Sequence, residues 1–301
     1  MRILSLGAIA VAIVLFVSWL SIVFYPSAQD FMRANPFWNG LRDFSGRFGV
    51  EMVSSLEEAA PRPGGSVLII IPYLPYQDDE LRRIADFVRA GGTLLIMDDY
   101  GYGNQILEAL GLEMEFDGDP LLDPYLCYRN QWLPLVTDLA PQLKEAGIEQ
   151  LILNHATALR VSGPYEVLAR SSDTAFLDSN GNELWDEGEA RGPLAVAARA
   201  AVGRGTVIAV SDPSILINSM AGRGDNSAFL RHLILAAGES PRVALDTSHL
   251  PKAPLDRSQD SWEMARERMS SPYSQVLLVG VILALTMMPV WRKGAQVEQE
   301  R

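Results

Sequence analysis

Asp98, Asp99 and Tyr100 stand in the turn DDYGYGN, which follows the apolar run Thr93 to Met97 and precedes Ile106, Leu107 and Leu110 at helical spacing. A strand, a tight turn and a helix in that order can display a nucleophile or hold a ligand at the carboxyl end of an open α/β sheet. A nucleophilic thiol there would need a lowered pKa and a histidine to relay its proton. The turn supplies two carboxylates, which would raise a thiol's pKa. The single cysteine, Cys127 in LDPYLCYRNQW, lies outside any Gly-x-Cys-x-Gly context and reads as a small apolar residue. His155, His232 and His249 are not at the spacing of a metal site or a triad, and His249 falls in a Pro-containing linker. GYGNQI lacks the third glycine of a dinucleotide loop. Adjacent residues of a strand face opposite sides, so Asp98 and Asp99 would not share one substrate. No catalytic residue is therefore expected.

Two other stretches carry chemistry. In SDPSILINSMAGRGDN, Asp212 and Asn218 follow a strand, GTVIAV, and could form a ligand-facing edge with Asp99 and Tyr100. The alternative is a cap and turn that hold the last helix. In DSNGNELWDEGE, Asp178, Asn180, Asn182, the Leu184 carbonyl, Asp186 and Glu189 fall at positions 1, 3, 5, 7, 9 and 12, the oxygen-ligand pattern of a calcium loop. Position six is Glu183 rather than glycine, and neither flank reads as an EF-hand helix. A hairpin turn at Asn180-Gly181 is the competing reading. Calcium is the only cofactor these residues suggest.

The elements that must position these residues read as an α/β domain between two apolar segments. SVLIIIPYLP is a continuous apolar run of the kind buried on both faces of a sheet. DDELRRIADFVRAGG has acids in its first turn, Leu81, Ile84, Phe87 and Val88 on one face, and a glycine stop. Residues 50–110 thus alternate β-β-α-β-α, which predicts a largely parallel sheet flanked by helices. IEQLILNHA and YEVLARS read as further strands, TAFLD and LAVAARAAV as parts of hairpins, and GRGDNSAFLRHLILAAG as a helix.

The chain has 301 residues, 48% of them hydrophobic, and a formal charge of −12. This composition suits a sizeable core and excludes a nucleic-acid partner. Residues 3–24 form a 22-residue apolar stretch without a charge, and PYSQVLLVGVILALTMMPVW is charge-free over 20 residues before Arg292 and Lys293. Each is long enough to cross a bilayer. The basic outer flanks, Arg2 and Arg292 with Lys293, place both termini in the cytoplasm and the interior outside it. Four of the 25 cations and two of the 37 anions lie outside residues 30–270, leaving that interior at −14. The expected organisation is a transmembrane helix over 1–29, the α/β domain over 30–245, a linker and juxtamembrane segment over 246–272, a second transmembrane helix over 273–291, and a cytoplasmic tail over 292–301.

FWNGLRDFSGRFGVEMVSS, LIIIPYLPYQDDELRRIADFVRAGGTLLIMDDYGYGNQILEALGLE and GRGTVIAVSDPSILINSMAGRGDNSAFLRHLI together resemble a prokaryotic membrane-anchored family of unknown function, number 4350 among such families. The resemblance implies a flavodoxin-like, class I glutamine-amidotransferase-like fold in the cell envelope. It also implies partners among membrane or envelope proteins, with an accessory role beside a transporter or an AAA-ATPase-linked system. On that reading the protein is a non-catalytic binding or scaffold part, and a hydrolase acting on envelope material is the alternative.

Overall fold

The computed structural model describes residues 2–59 and 63–270 and divides the chain into two compact units, Pro26–Lys252 and a unit of the two ends. In the larger unit the order is α2 (Arg42–Phe48), β1 (Glu51–Val53), α3 (Leu56–Ala59), β2 (Ser66–Ile70), α4 (Asp78–Arg89), β3 (Thr93–Met97), α5 (Gly103–Ala109) and β4 (Met114–Phe116). Then come β5 (Leu121–Leu122), β6 (Leu135–Val136), β7 (Asp138–Leu139), α6 (Pro141–Glu145), β8 (Leu151–Ile152), β9 (Leu159–Val161), β10 (Glu166–Arg170) and β11 (Phe176–Leu177). The last elements are β12 (Ala195–Val202), β13 (Gly205–Val210), α7 (Asn226–Leu235) and β14 (Arg242–Asp246). The unit of the ends contains α1 (Arg2–Phe24) and α8 (Pro254–Ser270).

The main sheet runs β1-β14-β2-β3-β13-β12-β10-β7. Its first five strands are parallel, as the apolar runs predict. From β13 onward the sheet continues antiparallel through β12, β10 and β7. The β12–β13 pair is the one regular hairpin among the expected ones, while β11 pairs with β5 instead of its sequence neighbours. IEQLILNHA contributes only β8, which pairs with β6 outside the main sheet.

Period-two alternation sorts the parallel strands onto two cores. Val67, Ile69, Leu95, Met97, Ile208 and Val210 face α2 and α7 through Leu41, Phe44, Phe229 and Leu230. Leu68, Ile70, Leu94, Ile96, Val207 and Ala209 face α4 and α5 through Ile84, Phe87, Ile106 and Leu107. Helix α4 is the best-marked element. Glu80 accepts from the Gln77 N–H at 2.8 Å in a capping box, and its acids occupy the first turn. Helix α2 ends at Gly49 with φ +63°, a left-handed cap that suits glycine.

In the unit of the ends, Gln259 Nε2 donates to the carbonyls of Ile22 and Tyr25, each at 2.8 Å, and Trp19 meets Trp262 edge to face at 6.0 Å. Among the described residues no helix is long and apolar enough to cross a membrane. The second expected span, 273–291, lies outside the described residues.

Candidate functional site

β3 and β13 are neighbours in register, with Met97 opposite Val210. The helix after β3, α5, packs on one face of the sheet, and the helix after β13, α7, packs on the other. Adjacent parallel strands whose following helices leave to opposite faces open a crevice between their carboxyl ends, where ligands of such sheets bind. The residues at that edge are Asp98 and Asp99 after β3, and Ser211 and Asp212 after β13.

Asp98 and Asp99 diverge as alternation requires. Asp98 turns toward α5, accepting from the N–H groups of Gly101 and Gly103 at 2.7 Å each. The turn must be glycine at both places, since a Cβ on Gly103 would sit 2.6 Å from Asp98 Oδ2 and one on Gly101 2.4 Å from the Pro72 carbonyl oxygen. Asp99 takes the other side. It accepts the Tyr100 N–H at 2.7 Å and the Tyr73 hydroxyl at 3.3 Å. Asp212, wholly buried, accepts from the N–H groups of Asn154 and Ser214, both at 2.7 Å.

Burial pushes the Asp99 carboxyl up to about 6, with the Asp98 charge adding to the rise. Burial pushes Asp212 up to about 8, and the Asp99 charge raises it further. The two N–H groups on Asp212 oppose that rise, and desolvation outweighs them. The phenols of Tyr73 and Tyr100 are also raised, by burial and then by Asp99. Asp99, Tyr100 and Asp212 are thus brought together, joined by Tyr73, which the sequence reading did not single out. Its only local signal is its place just past the apolar run of β2.

Asn218 stands apart from this group. Its Oδ1 accepts the Asp43 N–H at 3.0 Å and its Nδ2 donates to the Phe37 carbonyl at 2.6 Å, tying the N-terminal segment down. The neighbouring polar residues of the same motif behave alike. Asp225 Oδ2 accepts from the N–H groups of Glu149 and Gln150, and buried Asn226 brackets the Ile152 peptide.

The histidines are distributed differently from the sequence expectation in one case. His249 is not a linker residue: it is buried, its Nδ1 is 2.7 Å from Asp246 Oδ2, and its ring stacks on Tyr76 at 3.6 Å. The sequence reading missed this because the partners, Tyr76 and Glu80, lie far away in the chain. His155 has φ +58° and its ring lies tilted against Trp132 at 4.6 Å, its imidazole lowered by burial. Cys127 is half-buried in an isolated bridge to Pro134, and among the described residues no hydrogen bond joins it to a histidine.

The acidic loop is closed by its own bonds. Asp178 accepts from the N–H groups of Gly181, Asn182 and Glu183. Asn180 and Asn182 both donate to Asp186 Oδ2 at 2.7 Å, and Glu189 accepts from Ser179 and Asp186. Leu184 N–H bonds Asn182 Oδ1. The loop is not an Asn-Gly hairpin, because its stem is the Leu177–Ala190 bond, twelve loop residues apart. Among the described residues no group of three or more His, Cys, Asp or Glu is placed to hold a metal ion.

A family model described as Domain of unknown function (DUF4350) matches residues 37–234, which take in β2, β3, β13 and the crevice between them. The chain belongs to that family. No curated protein matches the sequence. Among solved structures, the mmIFT52 N-terminal domain is similar with a TM-score of 0.53 at 13% identity, over 71% of this chain and 96% of that one, and it shares the fold alone. The β-galactosidase from Bacillus circulans sp. alkalophilus has a TM-score of 0.35 at 12% identity over 57% of this chain, which spans 22% of the enzyme. Cytoplasmic Protein STM1381 from Salmonella typhimurium LT2 has a TM-score of 0.40 at 16% identity over 61% of this chain and 76% of that one. Similarity at those two scores carries no argument about function.

Proposed function

We propose that this DUF4350 protein is a non-catalytic, membrane-anchored, extracytoplasmic binding or scaffold part of an envelope complex, accessory to a transporter or AAA-ATPase-linked system, with an amidotransferase-like α/β domain. The observation that supports it is that the carboxylates of Asp98, Asp212 and Asp246 at the carboxyl edge are engaged in holding the fold. Asp98 holds the 101–103 turn, Asp212 holds the Asn154 and Ser214 peptides, and Asp246 holds His249. Each of these carboxylates has a structural task as an anchor for backbone N–H groups or an imidazole, which accounts for its place without a reaction. Membrane anchoring rests on the sequence: an apolar α1, with Val14, Leu15 and Phe24 more than half exposed, and the charge-free segment before Arg292.

The raised carboxyls of Asp99 and Asp212 favour a second reading, a hydrolase acting on envelope material. The two separate by experiment. Tagged full-length protein, solubilised from its own membranes, is expected to recover the same partners in the same yield for wild type and for Asp99→Asn, and cells carrying the variant should behave as wild type. An intact complex combined with the phenotype of a deletion would overturn the scaffold reading in favour of the enzyme.

We also propose that the 178–189 loop takes calcium weakly from outside the cell. Support comes from its oxygen donors and from Glu183, whose φ of +62° gives position six the left-handed turn that glycine usually supplies. The Asn180 and Asn182 amides must rotate to turn oxygen inward, which favours a weak site. Calorimetry is expected to give a Kd of about 10⁻⁴–10⁻³ M, with the melting temperature rising over the same range. No heat at millimolar calcium, or an unchanged response in Asp178→Ala/Glu189→Ala, would reduce the loop to a self-bonded turn.

A further inference from the structure

A cleft of about 530 Å³ lies between the end of α2, helix α7 and the start of β14. That volume falls within the roughly 300–1,000 Å³ of ligand pockets. Its charges are all of one sign. Arg47 and Arg231 line it, and no acidic residue does, although the whole chain carries −12. Arg47 reaches across from α2 to bond Ser227 Oγ at 2.6 Å. Arg231 follows Ser227 by four residues, so both guanidinium-bearing side chains flank the same turn of α7. Among the described residues neither arginine has a carboxylate within ion-pair distance, while Arg83, Arg160, Arg199 and Arg242 each do.

Beside the arginines the cleft presents the hydroxyls of Ser227 and Ser240 and an apolar part formed by Phe48, Pro241 and Leu235, the last 40% exposed. That apolar part supplies no partners for the N–H and C=O groups of a bound peptide, and burying those groups unpaired is costly. An acyl chain has no such groups. Arginine, in contrast, recognises a phosphate through paired, charge-assisted hydrogen bonds. We propose that this cleft binds the phosphate head and first apolar carbons of an anionic phospholipid. The site shares no residue with the carboxyl-edge crevice and stands independently of the scaffold reading.

The full chain in a neutral maltoside detergent is titrated with dioctanoyl phosphatidylglycerol, dioctanoyl phosphatidylcholine, inorganic phosphate and hexaglutamate. The anionic lipid is expected to bind saturably, at least tenfold more tightly than the zwitterionic one. Arg47→Gln/Arg231→Gln should weaken it tenfold or more, and Arg83→Gln, outside the cleft, should not. Arg231→Ala alone should weaken it several-fold at unchanged melting temperature, since Arg231 is exposed and among the described residues no hydrogen bond or ion pair holds it. Equal affinity for the two lipids, or an affinity untouched by the arginine variants, would overturn the proposal. Phosphate binding as tightly as the lipid would make this a free-phosphate site, and preference for hexaglutamate would make it a protein-docking site. Either result refutes lipid as the occupant.

Discussion

Asn226→Ala is expected to destabilise the domain by about 3 kcal/mol, a larger effect than that of any other polar residue in its motif. Asn226 is fully buried; its Oδ1 accepts the Ile152 N–H at 3.0 Å, and its Nδ2 donates to the carbonyls of Ile152 at 2.8 Å and Met220 at 3.0 Å. Alanine strips the Ile152 peptide of its bracket on both sides, whereas the Met220 carbonyl keeps the Arg223 N–H. Each buried group left unpaired costs about 1–3 kcal/mol. For a domain of this size the melting temperature should fall by about 6–12 °C. Asn226→Asp should be worse, because it removes both donors and points a carboxylate at two carbonyl oxygens. Asn218→Ala, at a half-buried position, should cost about 1 kcal/mol. Thermal unfolding of the three variants checks the order. An Asn226→Ala change within about 2 °C of wild type would refute the bracket.

Stability is expected to fall as pH rises from about 4 to 8. Asp99 and Asp212 have folded values of about 6 and about 8, above the roughly 3.9 of an unfolded aspartate. Between those limits the folded state binds more protons than the unfolded one, so their contribution is complete at low pH and disappears as each folded value is passed. A tenfold difference in proton affinity between the folded and unfolded states is worth about 1.4 kcal/mol, so the pair contributes several kcal/mol. Asp246 acts in the opposite direction. Burial raises it, but the bonds from His249 and Ser248 outweigh burial and hold it below the ordinary value. Its contribution is present above the unfolded value and is lost on acidification. The profile should therefore peak in mild acid. Asp99→Asn should flatten the alkaline limb, both by removing its own titration and by relieving the charge that raises Asp212. Melting temperature against pH for the two proteins decides the matter, and parallel profiles would refute the coupling.

Local pattern alone determined much of this fold. The runs of β2 and β3 are buried along their whole length, so their uninterrupted apolar character states that both faces are covered. Helix α4 carries its boundaries in its acids, its amphipathic face and its glycines. The opposite facing of Asp98 and Asp99 follows from strand geometry, and the structure gives the two residues different tasks accordingly. The family was also legible, since its motifs are contiguous.

What only the tertiary structure decided involves partners distant in the chain. β14 inserts between β1 and β2, and no periodicity encodes the neighbour a strand will take. The rise of Asp212 depends on burial that a polar turn does not announce, and on Asp99, 113 positions earlier. His249 resembles linker because its immediate neighbours are Ser248, Leu250 and Pro251, yet Tyr76 and Glu80, far earlier in the chain, meet its buried ring. Arg47 and Arg231 are ordinary helix-surface cations in sequence, and packing α2 beside α7 is what sets them in one cleft without a carboxylate. Backbone propensity and side-chain period act over a few residues, whereas desolvation and charge coupling depend on what the folded chain brings within a few ångströms.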